Sequence, residues 1–279
     1  MNKNLFYIVD AGSTKIDLAI VEGDLVTIKS YSGFNPNHSG FKVLSEINDI
    51  INKKYPVYFY GSGLSSSKNQ ILVKQKITAN HINVYSDVLG TARALLKQKK
   101  GIIAILGTGG VAAYYDGKSI QQTKGGYGYL IDDVGGGVEL AKSVVSKWLN
   151  NELSEQTSKK ISEYFNSNPN TFIHDFYKKN NQQKYLAGLC EILIPLAKND
   201  NNLTESIVNY FDLFIEKHIL KLTKQYQMTT INFSGSIAYN YKNYLNKSLS
   251  HFQLVSGEII SKPIYNLIDF HKTKNNNLF

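Results

Sequence analysis

With 279 residues, 42% hydrophobic and 19% charged, the chain has a soluble globular composition and is long enough for one large domain or two ordinary ones. The net charge of +9 comes from lysines scattered among Asn, Gln and Ser, with Arg93 the only arginine; this argues against a nucleic-acid partner and favours an anionic small-molecule substrate. A single cysteine, Cys190, excludes an internal disulfide or a Cys-rich metal site, and no apolar run suits a signal peptide or membrane span, so a cytoplasmic protein without a membrane partner is expected.

Leu5 to Val21 reads as an apolar strand, a short turn led by an aspartate and a second apolar strand, LFYIV-DAGSTK-IDLAIV. In a Gly/Ser/Thr turn, consecutive N–H groups can point into one concavity suited to an anion. Glu22-Gly23-Asp24 turns the chain into a third strand, Leu25 to Tyr31, completing an antiparallel meander. In Gly33-Phe34-Asn35-Pro36, Asn35 either bonds a polar substrate or makes an ordinary Asn-Pro turn. Phe41 to Lys54 has helical periodicity, and Pro56 stops it. Val57 to Tyr60 is a buried strand ending in Gly61-Ser62-Gly63, Ser65 to Asn80 reads as a helix, and Ile82 to Tyr85 as a strand. Asp87 stands where that strand passes into a helix from Val88 to Lys97, so the meander gains parallel strands.

The pattern restarts at Gly101, where IIAI-LGTGG-VAAYY repeats the strand–turn–strand plan and Ser119 to Thr123 makes a third strand. After the loop Lys124 to Gly128, Asp132 to Gly137 leads into a helix from Val138 to Leu153. Mostly helical sequence follows, including one long helix from Leu203 to Tyr226 with Ile207, Phe211, Phe214, Ile215 and Ile219 inward. Strands at Thr229 to Phe233 and Phe252 to Val255, and a closing helix from Pro263 to His271, finish the chain. His38, His81 and His271 have no metal-ligand spacing and are expected at the surface or at caps, and Cys190 as a buried structural thiol.

A repeated meander with parallel extension implies two similar α/β domains, with Gly-rich turns gathered at the strand C-termini where such folds bind ligands. Asp10 would then hold Mg²⁺ through water, Gly12, Ser13 and Thr14 would wrap a transferable phosphate, and Lys15 would neutralise it; the alternative is an ordinary hairpin. No Gly-x4-Gly-Lys-Ser/Thr spacing is present, so this is not a P-loop. Asp87 can orient an acceptor hydroxyl and take its proton, or serve as a helix N-cap, or do both. Gly107, Thr108 and Gly109 form a second backbone nest or a tight turn. The glycines from Gly125 to Gly128, around Tyr127, and from Gly135 to Gly137 are costly beside a helix unless backbone must approach a ligand. Gly235 and Ser236, before a helix, would take the adenosine or α-phosphate end of a nucleotide.

In this order, the motifs resemble the N-acetylglucosamine kinase family, within the sugar kinase, heat-shock ATPase and actin superfamily, and especially its short bacterial N-acetylglucosamine and N-acetylmuramic acid kinase branch. The resemblance covers almost the whole chain. It rests on Asp10 to Lys15, Gly33-Phe34-Asn35, Phe59 to Gly63, Asp87, Leu106 to Gly110 and Gly235-Ser236-Ile237-Ala238. It implies an α/β protein of two ribonuclease H-like domains, the duplicated actin-like ATPase fold, facing a central cleft. The domains would be residues 1–98 plus 263–279 and residues 99–262, the latter with a helical insertion. ATP and Mg²⁺ would be the cofactors, and an amino sugar would be phosphorylated at its 6-hydroxyl with Asp87 as base. Asn35, Gly126, Tyr127 and Asp133 would bind the sugar, and a homodimer is among the open assembly states. The family's Leu-Gly-Asp-Glu-Gly-Ser-Gly element is altered here: Asp133 is kept, but Asp132 stands for a Gly, Val134 for the Glu and Gly136 for the Ser. These changes keep open a sugar or nucleotide sensor without catalysis. An ATPase activator is the other alternative, although its iron–sulfur form needs more cysteines than Cys190.

Overall fold

A computed structural model describes residues 5–36 and 41–276, with side chains described as far as Thr273; His38 lies outside the described residues. The chain divides into two compact units: Met1–Lys100 with Tyr115–Ile120 and Lys262–Phe279, and Gly101–Tyr114 with Gln121–Ser261.

In the first unit, β1 (Leu5–Ala11), β2 (Lys15–Glu22), β3 (Leu25–Ser32), β4 (Val57–Gly61) and β5 (Ile82–Ser86) form a sheet ordered β3-β2-β1-β4-β5. The first three strands are antiparallel, while β4 and β5 join parallel to β1. Three helices accompany it: α1 (Phe41–Asn48), α2 (Ser67–Lys76) and α3 (Asp87–Leu96). Side chains alternate across a strand, so Tyr7, Val9 and Ala11 enter a core with Leu18, Phe59 and the α1 residues Val43, Leu44 and Ile47. Asp10 consequently lies on the opposite face, in register with Asp17 on β2 and Tyr60 on β4.

The second sheet is ordered β10-β9-β6-β7-β8, from β6 (Gly101–Leu106), β7 (Gly110–Tyr115), β8 (Ile120–Gly125), β9 (Thr230–Ser234) and β10 (Val255–Ile260). Helices α4 (Gly137–Leu149), α5 (Glu155–Phe165), α6 (Phe172–Tyr177), α7 (Gln182–Ala197) and α8 (Asn201–Phe214) fall between β8 and β9. A π-helical turn, Ile215–Ile219, continues α8 into α9 (Leu220–Tyr226); α10 (Ser236–Asn240), α11 (Lys242–His251) and the closing α12 (Ile264–Asn276) complete the order. Trp148, Cys190, Phe211, Phe214 and Phe233 share one hydrophobic core in the second unit. The two mixed five-stranded sheets with their helices make the α/β, duplicated actin-like ATPase fold. Among the described residues no helix is long and apolar enough to cross a membrane.

Four local expectations are corrected. Helix α1 stops at Asn48 rather than Lys54, because Asn48 Oδ1 accepts the Thr78 N–H at 2.7 Å and Ile50 N–H bonds back to Ile47 O in a tightened turn. The predicted Leu203–Tyr226 helix is interrupted by the π turn. The last strand begins at Val255 rather than Phe252, since Gln253 adopts φ +57° and Leu254 N–H caps Leu249 O at the end of α11. His271 is not a surface residue: it is buried, stacked on Tyr58 at 3.8 Å, with Nε2 2.8 Å from Tyr60 Oη.

Candidate functional site

Within the first unit, the strand ends form one row, Ala11 beside Gly61 and Gly61 beside Ser86, so Asp10 and Asp87 flank the same sheet edge. The turn after β1 closes through Gly12 N–H to Lys15 O at 2.9 Å, and Ser13, Thr14 and Lys15 are exposed at its tip. Neither Ser13 nor Thr14 N–H has a hydrogen bond among the described residues, which makes the tip a pair of adjacent donors suited to an anion. Gly33 N–H donates to Thr14 O and Phe34 N–H to Gly12 O, drawing Asn35 to the flank of the turn. A Cβ at Gly33 would strike the Ser13 and Thr14 backbone, so only glycine permits this approach.

Asp17 organises the charges beside this turn. Its carboxylate accepts Ser30 Oγ–H at 2.6 Å and pairs with Lys15 Nζ at 3.0 Å and Lys262 Nζ at 3.2 Å. Burial works to raise the Asp17 carboxyl, yet these three partners outweigh it and hold it below the usual range. Asp10 lacks that relief. Burial, then the charges of Asp87 and Asp17, push it up to about 7, with Lys262 opposing. Burial also raises Asp87, against the 2.8 Å bond it accepts from Val88 N–H.

The capping role open to Asp87 belongs instead to Ser86, whose Oγ accepts Leu89 N–H at 3.2 Å; Asp87 is the first residue of α3. Among the described residues no group of three or more His, Cys, Asp or Glu is arranged to hold a metal. Asp10 nevertheless fits Mg²⁺ chemically, as a hard oxygen donor whose repulsion by Asp87 and Asp17 a divalent cation relieves. Mg²⁺ commonly takes one or two carboxylates and completes its shell with water and phosphate.

In the second unit, the turn Gly107–Gly109 turns its carbonyls inward. Gly107 O accepts Gly137 N–H at 2.8 Å, Thr108 O accepts Val138 N–H at 3.2 Å, and Gly109 O accepts Gly107 N–H at 3.0 Å. The N–H groups of Thr108 and Gly109 have no hydrogen bond among the described residues, repeating the arrangement at Ser13 and Thr14. Asp133 and Gly235 converge on this turn. A Cβ at Gly109 would lie 2.5 Å from Asp133 Oδ2, and one at Gly235, where φ is +110°, would lie 2.7 Å from the Leu106 carbonyl carbon. Ser236 is exposed beside it at the start of α10.

Asp133 is only 8% exposed, and burial above all raises its carboxyl to about 6, with Gly128 N–H at 3.3 Å as an opposing donor. Gly126 and Tyr127 lie on the preceding loop and are exposed, with Gly126 at φ +75°.

The glycine run into α4 has a different cause from close ligand approach. A Cβ at Gly135 would meet Phe214 at 2.6 Å, one at Gly136 would enter the Gly109 backbone and lie 2.5 Å from Thr108 O, and one at Gly137 would lie 3.1 Å from Ile237. The space is filled by the protein itself. Tyr210 secures the junction, its hydroxyl donating to Gly136 O at 2.6 Å and accepting Gly135 N–H at 2.8 Å. Val134, the substitute for a glutamate, packs half-buried against the core. Cys190 is buried as expected, its thiol pushed up to about 12 by burial and bonded to Gly137 O.

Each unit thus assembles its own predicted residues: Asp10, Gly12–Lys15, Asn35 and Asp87 in the first, and Gly107–Gly109, Gly126, Tyr127, Asp133, Gly235 and Ser236 in the second. Asp17 and Lys262 were missed. Asp17 carried a usable signal, an aspartate in an apolar strand directly across the hairpin from Asp10. Lys262 carried none, being one lysine among many.

No protein-family model matches the chain, and no curated protein does. Solved structures do. A candidate N-acetylglucosamine kinase from Porphyromonas gingivalis matches 97% of this chain and 99% of its own, with TM-score 0.86 and 26% identity. A candidate N-acetylglucosamine kinase from Chromobacterium violaceum shares the fold over 96% of this chain and 99% of its own, with TM-score 0.76 and 14% identity. A glucokinase of the ROK family from Streptomyces griseus, solved with glucose and AMPPNP, shares it over 92% of this chain and 93% of its own, with TM-score 0.60 and 12% identity.

Proposed function

From a chain with the duplicated actin-like ATPase fold, whose likeness is to candidate N-acetylglucosamine kinases, we propose an ATP-dependent kinase of an N-acetylated amino sugar. N-acetylglucosamine or N-acetylmuramic acid would be phosphorylated at the 6-hydroxyl. The observation that carries this reading is Asp87: a carboxylate at a strand end, relieved of capping by Ser86 and beside a turn with two adjacent unbonded N–H groups.

Asp87 would orient the acceptor hydroxyl and take its proton as the new P–O bond forms. Ser13 and Thr14, with Lys15, and separately Thr108 and Gly109, would hold phosphate oxygens, and Gly235 and Ser236 the nucleoside end. Lys262, fixed by Asp17, would add positive charge near Asp10. Asp10 would hold Mg²⁺, which when bound neutralises charge on the phosphates. Asn35, Gly126, Tyr127 and Asp133 would select the sugar. The test is ADP release over a panel of amino sugars and hexoses. Turnover is expected only with an acceptor and fastest with N-acetylated sugars; equal ADP release with and without sugar overturns the proposal.

A pH dependence follows from Asp133. An ionised carboxylate accepts sugar hydroxyls, so sugar affinity should fall as pH drops through about 6. Calorimetry from pH 5 to 8 reads this, and Asp133→Asn should flatten the profile. The sign for stability is opposite. Between the unfolded carboxylate range and about 6, the folded chain keeps a proton that the unfolded chain has lost, so this group's contribution falls as pH rises through that window.

Val134 in place of a glutamate motivates a second reading, a sensor that binds sugar without transferring phosphate. Sugar binding by calorimetry with no sugar-dependent ADP release would favour it.

A further inference from the structure

The loop that carries Gly126, Tyr127 and Asp133 is closed on itself. Tyr127 N–H donates to Asp132 O at 3.0 Å, and the N–H groups of Ile131 and Asp132 both donate to Gly128 O at 2.9 Å. The Asp132 side chain joins this loop to the π-helical turn: its Oδ1 lies 2.9 Å from Lys217 Nζ and 3.4 Å from His218 Nε2. Successive side chains diverge less around the axis of a π turn than of an α-helix, so two adjacent residues can reach one oxygen.

His218 is 3% exposed. Its ring packs on Phe214, and a Cβ at Gly125 would approach it to 3.2 Å. Burial lowers its basicity despite Asp132. Asp132 itself is held below the usual range, because Lys217 and His218 outweigh the effect of its burial. The same helix grips the far end of the segment through Tyr210 at Gly135 and Gly136. Asp133 lies between the two grips.

We propose that Asp132, Lys217 and His218 form a clasp that positions Asp133 and its loop for the sugar, making Asp132 and the π turn determinants of sugar affinity. The inference rests on the reading of Asp133 as a sugar ligand.

The experiment measures N-acetylglucosamine and ADP binding separately by calorimetry for the wild type, Asp132→Gly, Lys217→Met and the double variant. Loss of the Asp132 ion pair should weaken sugar binding about 10-fold in Asp132→Gly. ADP binding should stay within about 2-fold, and Lys217→Met should add little once Asp132 is gone. Amide exchange at Tyr127 and Asp132 should quicken in both single variants. Unchanged sugar affinity, equal losses of sugar and ADP affinity, or fully additive losses each overturn the clasp. A wild-type protein that binds none of the amino sugars overturns the substrate reading itself, and the clasp with it.

Discussion

Asp87→Asn is expected to lower sugar-dependent turnover by about 10³-fold, within the range for removal of a positioned general base. ADP affinity should stay within about 2-fold, because the phosphate contacts proposed for the Gly12–Lys15 turn do not pass through this carboxylate. The substitution is nearly isosteric, and Ser86 rather than Asp87 caps α3, so the helix keeps its N-terminal bond to Leu89 N–H. Asn can still accept the Val88 N–H. Single-turnover phosphorylation with calorimetry of ADP gives the split. If turnover and ADP affinity fell together, the defect would lie in the fold of the site, and Asp87 would lose its assignment as base.

Gly136→Ser restores the residue expected from the family resemblance and is nevertheless expected to harm this protein. A Cβ there would enter the Gly109 backbone and crowd Thr108 O, which are backbone atoms rather than the free end of a side chain. Overpacking of this kind costs about 1–3 kcal/mol, a fall of roughly 2–5 °C in Tm for a chain of this size. Thr108 and Gly109 are the atoms that must move, so nucleotide affinity should fall as well. Thermal unfolding and ADP calorimetry together check this. A variant as stable as the wild type, with unchanged ADP binding, would show that the turn has room to relax.

The chain departs from the resembling family at Gly136 for a physical reason. The local pattern Asp132 to Gly137 shows which residues differ, but the reason Gly136 must lack a side chain is the turn at Thr108 and Gly109, brought against it by Gly137 and Val138 N–H bonds. The glycines looked like an opening for a ligand because glycine cost beside a helix is legible locally, whereas the atoms that fill the space are not. Asp87 shows the same limit. Both Ser86 and Asp87 are good caps, and only the observed Ser86–Leu89 bond decides between them.

His271 was misread although it continues the buried α12 stripe of Ile264, Leu267 and Ile268 at helical spacing; what the local pattern does not show is its partners. Its partners, Tyr58 and Tyr60, belong to β4, and packing places α12 against the first sheet's face opposite the α1 side. The π turn was likewise invisible, since the inward stripe of Ile207, Phe211, Phe214, Ile215 and Ile219 is buried whether or not the helix widens there.

The chain's local chemistry was enough to establish the two meanders, the glycine turns after β1 and β6, the carboxylates at strand ends and the buried stripe of α8. Alternation, helical period and turn residues act over a few neighbours and need no partner. The tertiary structure alone decided who neutralises whom: Asp17 takes Lys15 and Lys262, Asp10 is left with a raised carboxyl, and Asp132 is held by Lys217 and His218. Charge pairing and burial depend on strand register and on helices packed from distant parts of the chain, and both are set only when the whole fold closes.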